Sequence, residues 1–268
     1  MILVNGVAGG GLDPSDRAVA YGDGVFRTFP LLAAVVPHWP RQYGKLASDS
    51  VRLGIACPPR EVLEDDIRQL VAVNADGVVR ITLTRGTGPR GYAVPGIQRT
   101  TRIVSWSPLR TTRQSPHGVC IRWCNLRLSA QPALAGIKHL NRLENVLARS
   151  EWDDPGIAEG LMLNAAGHVI SGTMTNLLIL QNEELSTPAL DQCGVAGVTR
   201  DLLIERASLA GVRVAVTAIT QDALLNASAV FLVNSVIGLW QVARLGDKVW
   251  SPHPFADQMR AWISDAQD

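Results

Sequence analysis

The sequence predicts an α/β (α+β) protein of two domains, and three observations carry that expectation. Strand-like and helix-like stretches alternate along the whole chain, the pattern of sheets covered by helices. The 268 residues suffice for one large domain or two modest ones, and 47% of them are hydrophobic, enough to fill a core. Finally, "SPLRTTRQSPHG" from Ser107 to Gly118 concentrates Pro, Ser, Thr and Arg without apolar periodicity, the composition of a connection. The boundary is expected near residue 115, giving domains 1–115 and 116–268.

Taken in order, "MILVNG" reads as a strand ending in an Asn-Gly turn. A helix is expected over about Glu61 to Val73, then strands at "VVRITLTRG" and "TRIVSWSPL". Beyond the connection, β-branched residues around Cys120 predict a strand. In "HLNRLENVLARSEW" the residues Leu140, Leu143 and Leu147 recur at helical spacing. "GLMLNAAGHVISG" has the chemistry of a hairpin. "GVTRDLLIERASLAG" predicts a turn leading into a helix that stops at Gly211, and "VRVAV" a strand directly after it. "AVFLVNSV" reads as a strand with a polar end and "PFADQMRAWISDA" as a closing helix.

Composition narrows the function. The 25 basic and 24 acidic residues nearly cancel, so the net charge of +1 offers nucleic acid or an anionic membrane no broad attraction. The longest apolar runs, such as Leu31 to Val36, fall far short of a bilayer span, and the start lacks a secretory pattern. A soluble cytoplasmic protein is expected. Cys57, Cys120, Cys124 and Cys193 are too scattered for a disulfide framework and are expected to be reduced. An offset of four puts Cys120 and Cys124 on one strand face, where packing explains them better than a metal, since no second ligand pair accompanies them. No metal is expected.

Four stretches could carry chemistry. Lys138, one of only three lysines, follows the small and apolar run "ALAGI". Lysine forms Schiff bases while unprotonated, and burial would lower its pKa, yet a lone lysine beside a helix is also an ordinary structural residue. In "AGVTRDLL" the amides of Val198 and Thr199 would open a helix and suit a phosphate, with Thr199 as a plain N-cap the competing reading. Asn234 and Ser235 end an apolar strand, where ligand contacts and loop caps both occur. "RGTGPRGY" would project Arg85, Arg90 and Tyr92 from a glycine-rich loop, and its spacing does not match a dinucleotide fingerprint.

Together these stretches resemble the fold-type IV pyridoxal-phosphate enzymes, and within them the aminodeoxychorismate lyase family. The resemblance covers almost the whole chain, through "SDRAVAYGDGVFRT", "RITLTRGTGPRGY", "LAGIKHLNRLENVLARSE", "GHVISGTMTNLL" and "GVAGVTRDLL". "GIKHLNRLE" is lyase-like, whereas "GDG" and "GVTR" are shared with branched-chain and D-amino acid aminotransferases of the same fold. The resemblance implies a smaller N-terminal and a larger C-terminal α/β domain with the cofactor between them, in a homodimer. It implies that Lys138 binds pyridoxal phosphate covalently, that Val198 and Thr199 help hold the phosphate, and that Asn234 or Ser235 joins them.

Two positions depart from the family pattern. "QYGKL" puts Gln42 and Lys45 where His-x-x-Arg-Leu is usual, so Lys45 keeps the charge for the phosphate and loses the arginine fork. Ser171 stands where a glutamate normally pairs with the pyridine nitrogen. A hydroxyl stabilises a pyridinium less, which tilts the expectation from amino transfer toward the lyase reaction, where release of enolpyruvate and formation of an aromatic ring assist proton loss. The implied activity converts 4-amino-4-deoxychorismate to p-aminobenzoate and pyruvate. Arg27, Arg90 and Arg102 are candidates for the substrate carboxylates, and Thr28 or Lys138 for the proton donor to the leaving group. The alternatives are an aminotransferase of the same fold and a non-catalytic binding relative.

Overall fold

A computed structural model describes residues 1–71, 76–109 and 117–264. They fall into two compact units, one taking in Met1–Thr111 and Lys138–Asn141, the other Thr112–Ile137 and Arg142–Ala266. The boundary expected near residue 115 lies outside the described residues. The return of Lys138–Asn141 to the first unit is a feature that the sequence expectation lacks.

The first unit contains β1 (Ile2–Val4), β2 (Val7–Ala8), α1 (Arg17–Tyr21), β3 (Gly24–Leu31), α2 (Trp39–Arg52), α3 (Arg60–Val71), β4 (Gly77–Thr84) and β5 (Thr101–Pro108). Its strands form an antiparallel sheet in the order β2-β1-β5-β4-β3. Asn5 and Gly6 both take positive φ, the conformation that a tight hairpin between β1 and β2 requires. Alternation buries Val25, Phe29 and Leu31 on β3 and Val79, Ile81 and Leu83 on β4. Arg27 shares the odd-numbered face of β3 with those apolar residues and is itself buried. Opposite, α2 turns Gln42, Leu46, Asp49 and Ser50 inward at helical spacing.

The second unit contains β6 (Val119–Leu128), α4 (Leu143–Arg149), β7 (Ile157–Asn164), β8 (Val169–Gly172), β9 (Asn176–Gln181), β10 (Glu184–Pro188) and α5 (Val198–Leu209). It continues with β11 (Arg213–Thr217), α6 (Gln221–Leu225), β12 (Ala229–Asn234), β13 (Gly238–Leu245), β14 (Lys248–Val249) and α7 (Phe255–Ser264). The sheet runs β11-β10-β9-β12-β13-β6-β7-β8, and pairing of β8 with β9 closes six of these strands into a ring. Residues of one parity fill it: Val119 and Ile121, Leu161, Leu177 and Ile179, Val230 and Leu232, Trp240 and Val242. Each buried aliphatic side chain contributes about 1.5–3 kcal/mol, so closure of the ring is driven mainly from inside. The opposite parity packs outward in two clusters, Phe231 and Leu178 with Leu203 of α5 and Met259 of α7, and Cys124 and Met162 with Ala148 of α4. Cys124 is thus a core residue, and burial pushes its thiol up to about 12, with Glu151 and Glu159 adding to the shift.

The hairpin of β7 and β8 forms as expected, with Gly167 at positive φ. The helix expected from Leu140 does not. It starts at Leu143, and Leu143 and Leu147 are exposed instead of facing a core. The backbone supplies the reason: the Leu140 N–H donates to the Gly24 carbonyl and the Phe26 N–H to the Lys138 carbonyl, so β3 draws this segment out as an extra pairing partner. Among the described residues no helix is long and apolar enough to cross a membrane, and no group of three His, Cys, Asp or Glu is placed to hold a metal.

Candidate active site

Lys138 is half-buried and held by its backbone on both sides. Its carbonyl accepts from the Phe26 N–H at 2.9 Å and its N–H donates to Asp49 Oδ2 at 3.0 Å. Its amine lies 4.6 Å from the centroid of the Phe26 ring, and the Arg80 guanidinium lies 4.0 Å from the same centroid. The same Asp49 oxygen accepts from Arg27 Nη2, and both residues of this ion pair are buried. Lys45 lies one turn before Asp49 on α2 and is half-buried.

The other candidates of the first unit separate by what their side chains already bind. Arg102 forks onto Asp66, with Nε to Oδ2 at 2.6 Å and Nη2 to Oδ1 at 3.4 Å. Arg85 does not project from its loop: it is buried and donates to Asp23 and to the Leu53 and Gly54 carbonyls. Arg17 meets the same Asp23 oxygen from the other side. Burial pushes the Asp23 carboxyl up, and the hydrogen bonds and charges of Arg85 and Arg17 outweigh it, leaving its pKa below the ordinary carboxylate value. Arg90 is exposed and, among the described residues, has no ion-pair or hydrogen-bond partner. Thr28 is half-buried in β3 opposite Arg80.

In the second unit, α5 begins without a side-chain cap. Gly197, not Thr199, is its N-cap and supplies no side-chain bond, so the first amides stay open to an acceptor. A Cβ on Gly197 would come within 2.2 Å of Asn176 Oδ1, which explains the glycine. Val198 and Thr199 are buried, and the Thr199 hydroxyl lies 3.4 Å from that of Ser235. Asn234 builds the turn that brings Ser235 there. Its Oδ1 accepts from the Val236 and Ile237 amides, and its Nδ2 donates to the Met174 carbonyl at 3.1 Å. The side chain of Asn234 is therefore a loop cap, and Ser235 is the residue it presents.

Ser171 is buried in β8, paired with Met162 and Asn176. Close by in sequence, Thr173 to Thr175 wrap around the fully buried Glu159 of β7. Its Oε1 accepts from the Gly160 and Thr173 amides and the Thr173 hydroxyl, and its Oε2 from the Met174 amide and the Thr175 hydroxyl. Five donors occupy this carboxylate, so it is committed to holding this turn.

Asp49 and Glu159 are among the residues of these networks that have no role in the sequence expectation. Each carries a signal in retrospect: Asp49 sits on the inward stripe of an amphipathic helix, and Glu159 is the lone carboxylate in the otherwise apolar run "IAEGLML".

Comparison with known proteins bears on the whole length. The amino-transferase class IV family matches residues 24–245. The aminodeoxychorismate lyase of Vibrio harveyi is 33% identical over 245 residues, 91% of this chain and 90% of the relative. The crystal structure of 4-amino-4-deoxychorismate lyase from Pseudomonas aeruginosa shares 39% identity and superposes with a TM-score of 0.94 over 100% of both chains. A hypothetical aminotransferase from Mycobacterium tuberculosis in its PLP-bound form shares the fold at 19% identity, with a TM-score of 0.83 over 98% of this chain and 97% of that one. The chain belongs to the amino-transferase class IV family.

Proposed function

We propose that this protein is a pyridoxal-phosphate-dependent lyase that converts 4-amino-4-deoxychorismate to p-aminobenzoate and pyruvate. The observation that carries the reading is the held Lys138, fixed through both backbone groups inside the lyase-like "GIKHLNRLE", in a chain whose relatives of 33% and 39% identity are lyases.

The residues fit the cofactor. Lys138 offers the amine, while the open start of α5 with the Thr199 and Ser235 hydroxyls matches a phosphate group. Val198, Thr199, Ser235 and Lys45 would hold that phosphate, Asn234 would hold the turn, and Ser171 would stand at the ring nitrogen. When bound, pyridoxal phosphate draws electron density from the carbon bearing the substrate nitrogen and acidifies its C–H bond. Lys138 Nζ, which lies beside the Phe26 ring, takes that proton. Enolpyruvate leaves from the neighbouring carbon as the substrate ring becomes aromatic. With Arg27 engaged by Asp49 and Arg102 by Asp66, Arg90 is the arginine we assign to a substrate carboxylate. Thr28 and Lys138 remain the donors considered for the leaving group. Ser171 favours this reading over amino transfer, which needs a stronger electron sink. We further propose a homodimer acting on small molecules in the cytoplasm, as the family resemblance implies.

Purified protein given pyridoxal phosphate is expected to gain the absorbance band of the lysine-bound cofactor and to release p-aminobenzoate from aminodeoxychorismate, both lost on Lys138→Ala. Amino transfer from amino acids to 2-oxoglutarate without p-aminobenzoate release would overturn the lyase assignment.

A further inference from the structure

We propose that Asp49 is a positioning residue for Lys138, with Arg27 as its fixed counter-charge; the proposal rests on the reading of Lys138 as the cofactor-bearing base. One carboxylate oxygen receives both the Arg27 guanidinium and the Lys138 amide. Arg27 is 3% exposed and Asp49 2%, so the pair is dry.

A buried ion pair is a poor source of stability, because removing two charges from water costs about as much as their attraction returns. Apolar residues of similar volume would serve α2 and β3 as well: Arg27 lies between Val25 and Phe29 on its strand face, and Asp49 beside Leu46 on the inward stripe of its helix. What an apolar pair cannot supply is an acceptor aimed at the Lys138 amide. The lysine sits outside any helix, at the junction where the chain passes from one compact unit to the other. Its carbonyl side is fixed by Phe26 of β3 and its amide side by Asp49 of α2. Arg27 fixes Asp49 in turn, since a charge-assisted bond holds the carboxylate in one rotamer. The geometry sets the direction in which the Lys138 side chain leaves the backbone, toward the Phe26 face where its amine lies. Asp49 thus acts on the amine through the backbone, its Oδ2 being taken by the Lys138 amide and Arg27. It also stands one turn from Lys45, so α2 carries the tether of the lysine and a phosphate charge on the same side.

The test is covalent capture. Protein is mixed with pyridoxal phosphate, reduced with borohydride, and the adduct at Lys138 is quantified over time by peptide mass spectrometry. Cofactor affinity is measured in parallel by titration. Asp49→Asn is expected to slow adduct formation and weaken affinity about tenfold, one decade being ~1.4 kcal/mol and within the range of a lost charge-assisted bond. In a Lys138→Ala background the same substitution is expected to change affinity less than twofold. If Asp49→Asn fails to fold, the double variant Arg27→Met/Asp49→Leu replaces the pair with apolar volume, removes the acceptor, and is expected to show the same loss. Equal weakening with and without Lys138 would mean a merely structural role and overturn the proposal. So would a folded variant that captures cofactor at the wild-type rate. A wild type that captures none at Lys138 overturns the cofactor reading itself, and this proposal with it.

Discussion

Substitution Glu159→Gln tests how the second unit holds its site. The carboxylate of Glu159 accepts three backbone amides and two hydroxyls. Glutamine keeps the shape but presents one oxygen and one NH2 group. Its best orientation keeps oxygen toward Gly160 and Thr173 and turns NH2 toward Met174 and Thr175. The Thr175 hydroxyl can rotate to accept; the Met174 amide cannot, and a lost hydrogen bond to a charged group costs about 1.5–3 kcal/mol. The bonds retained at the oxygen lose their charge assistance, and relief of the buried charge offsets part of that loss. The net expectation is a destabilisation of roughly 2–4 kcal/mol. Two assays read it: the urea midpoint, and native-state hydrogen exchange at the amides of Gly160, Thr173 and Met174, where protection falls by about 30- to 1,000-fold. A shift below about 0.5 kcal/mol with unchanged protection would refute the reasoning, since it would mean that the five donors do not face a charged acceptor.

Two further outcomes follow from the same geometry. Gly197→Ala places a Cβ against Asn176 Oδ1 and displaces the start of α5; titration is expected to show weaker binding of pyridoxal phosphate and little change for pyridoxal, which lacks the phosphate. Asp23 contributes stability that is complete above the unfolded carboxylate pKa of about 4 and is lost as pH falls through its lowered folded value, so acid titration of Asp23→Asn against wild type should converge at the acid end.

Much of this was legible in the sequence because it is local. Alternation found β4 and β5, the Asn-Gly pair found the turn after β1 though not the strand β2 that follows it, and a glycine turn before an apolar run found α5. The lysine was legible only through its motif, since nothing in "ALAGI" separates a catalytic amine from a solvated one. Tertiary partners hid the rest. Leu140 keeps helical spacing with Leu143 and Leu147, yet pairing with Gly24 draws it out of the helix. Arg27 and Arg102 look like free cations until α2 and α3 bring Asp49 and Asp66 against them. Asn234 looks like a ligand until its turn shows it bonded to Val236, Ile237 and Met174.

The four residues Lys138–Asn141, which belong to the first unit but follow the opening strand of the second, also dictate an order of events as the chain folds. The contact of Val25 with His139 closes a loop of more than one hundred residues, and bringing such distant ends together costs roughly 4 kcal/mol of chain entropy before any contact repays it. Contacts of that range form late. During synthesis the first unit therefore emerges with the β3 edge of its sheet open, and that edge is completed only after β6 has followed. A fragment ending at the connection would therefore leave that edge of β3 without its partner segment and would lack Lys138 altogether.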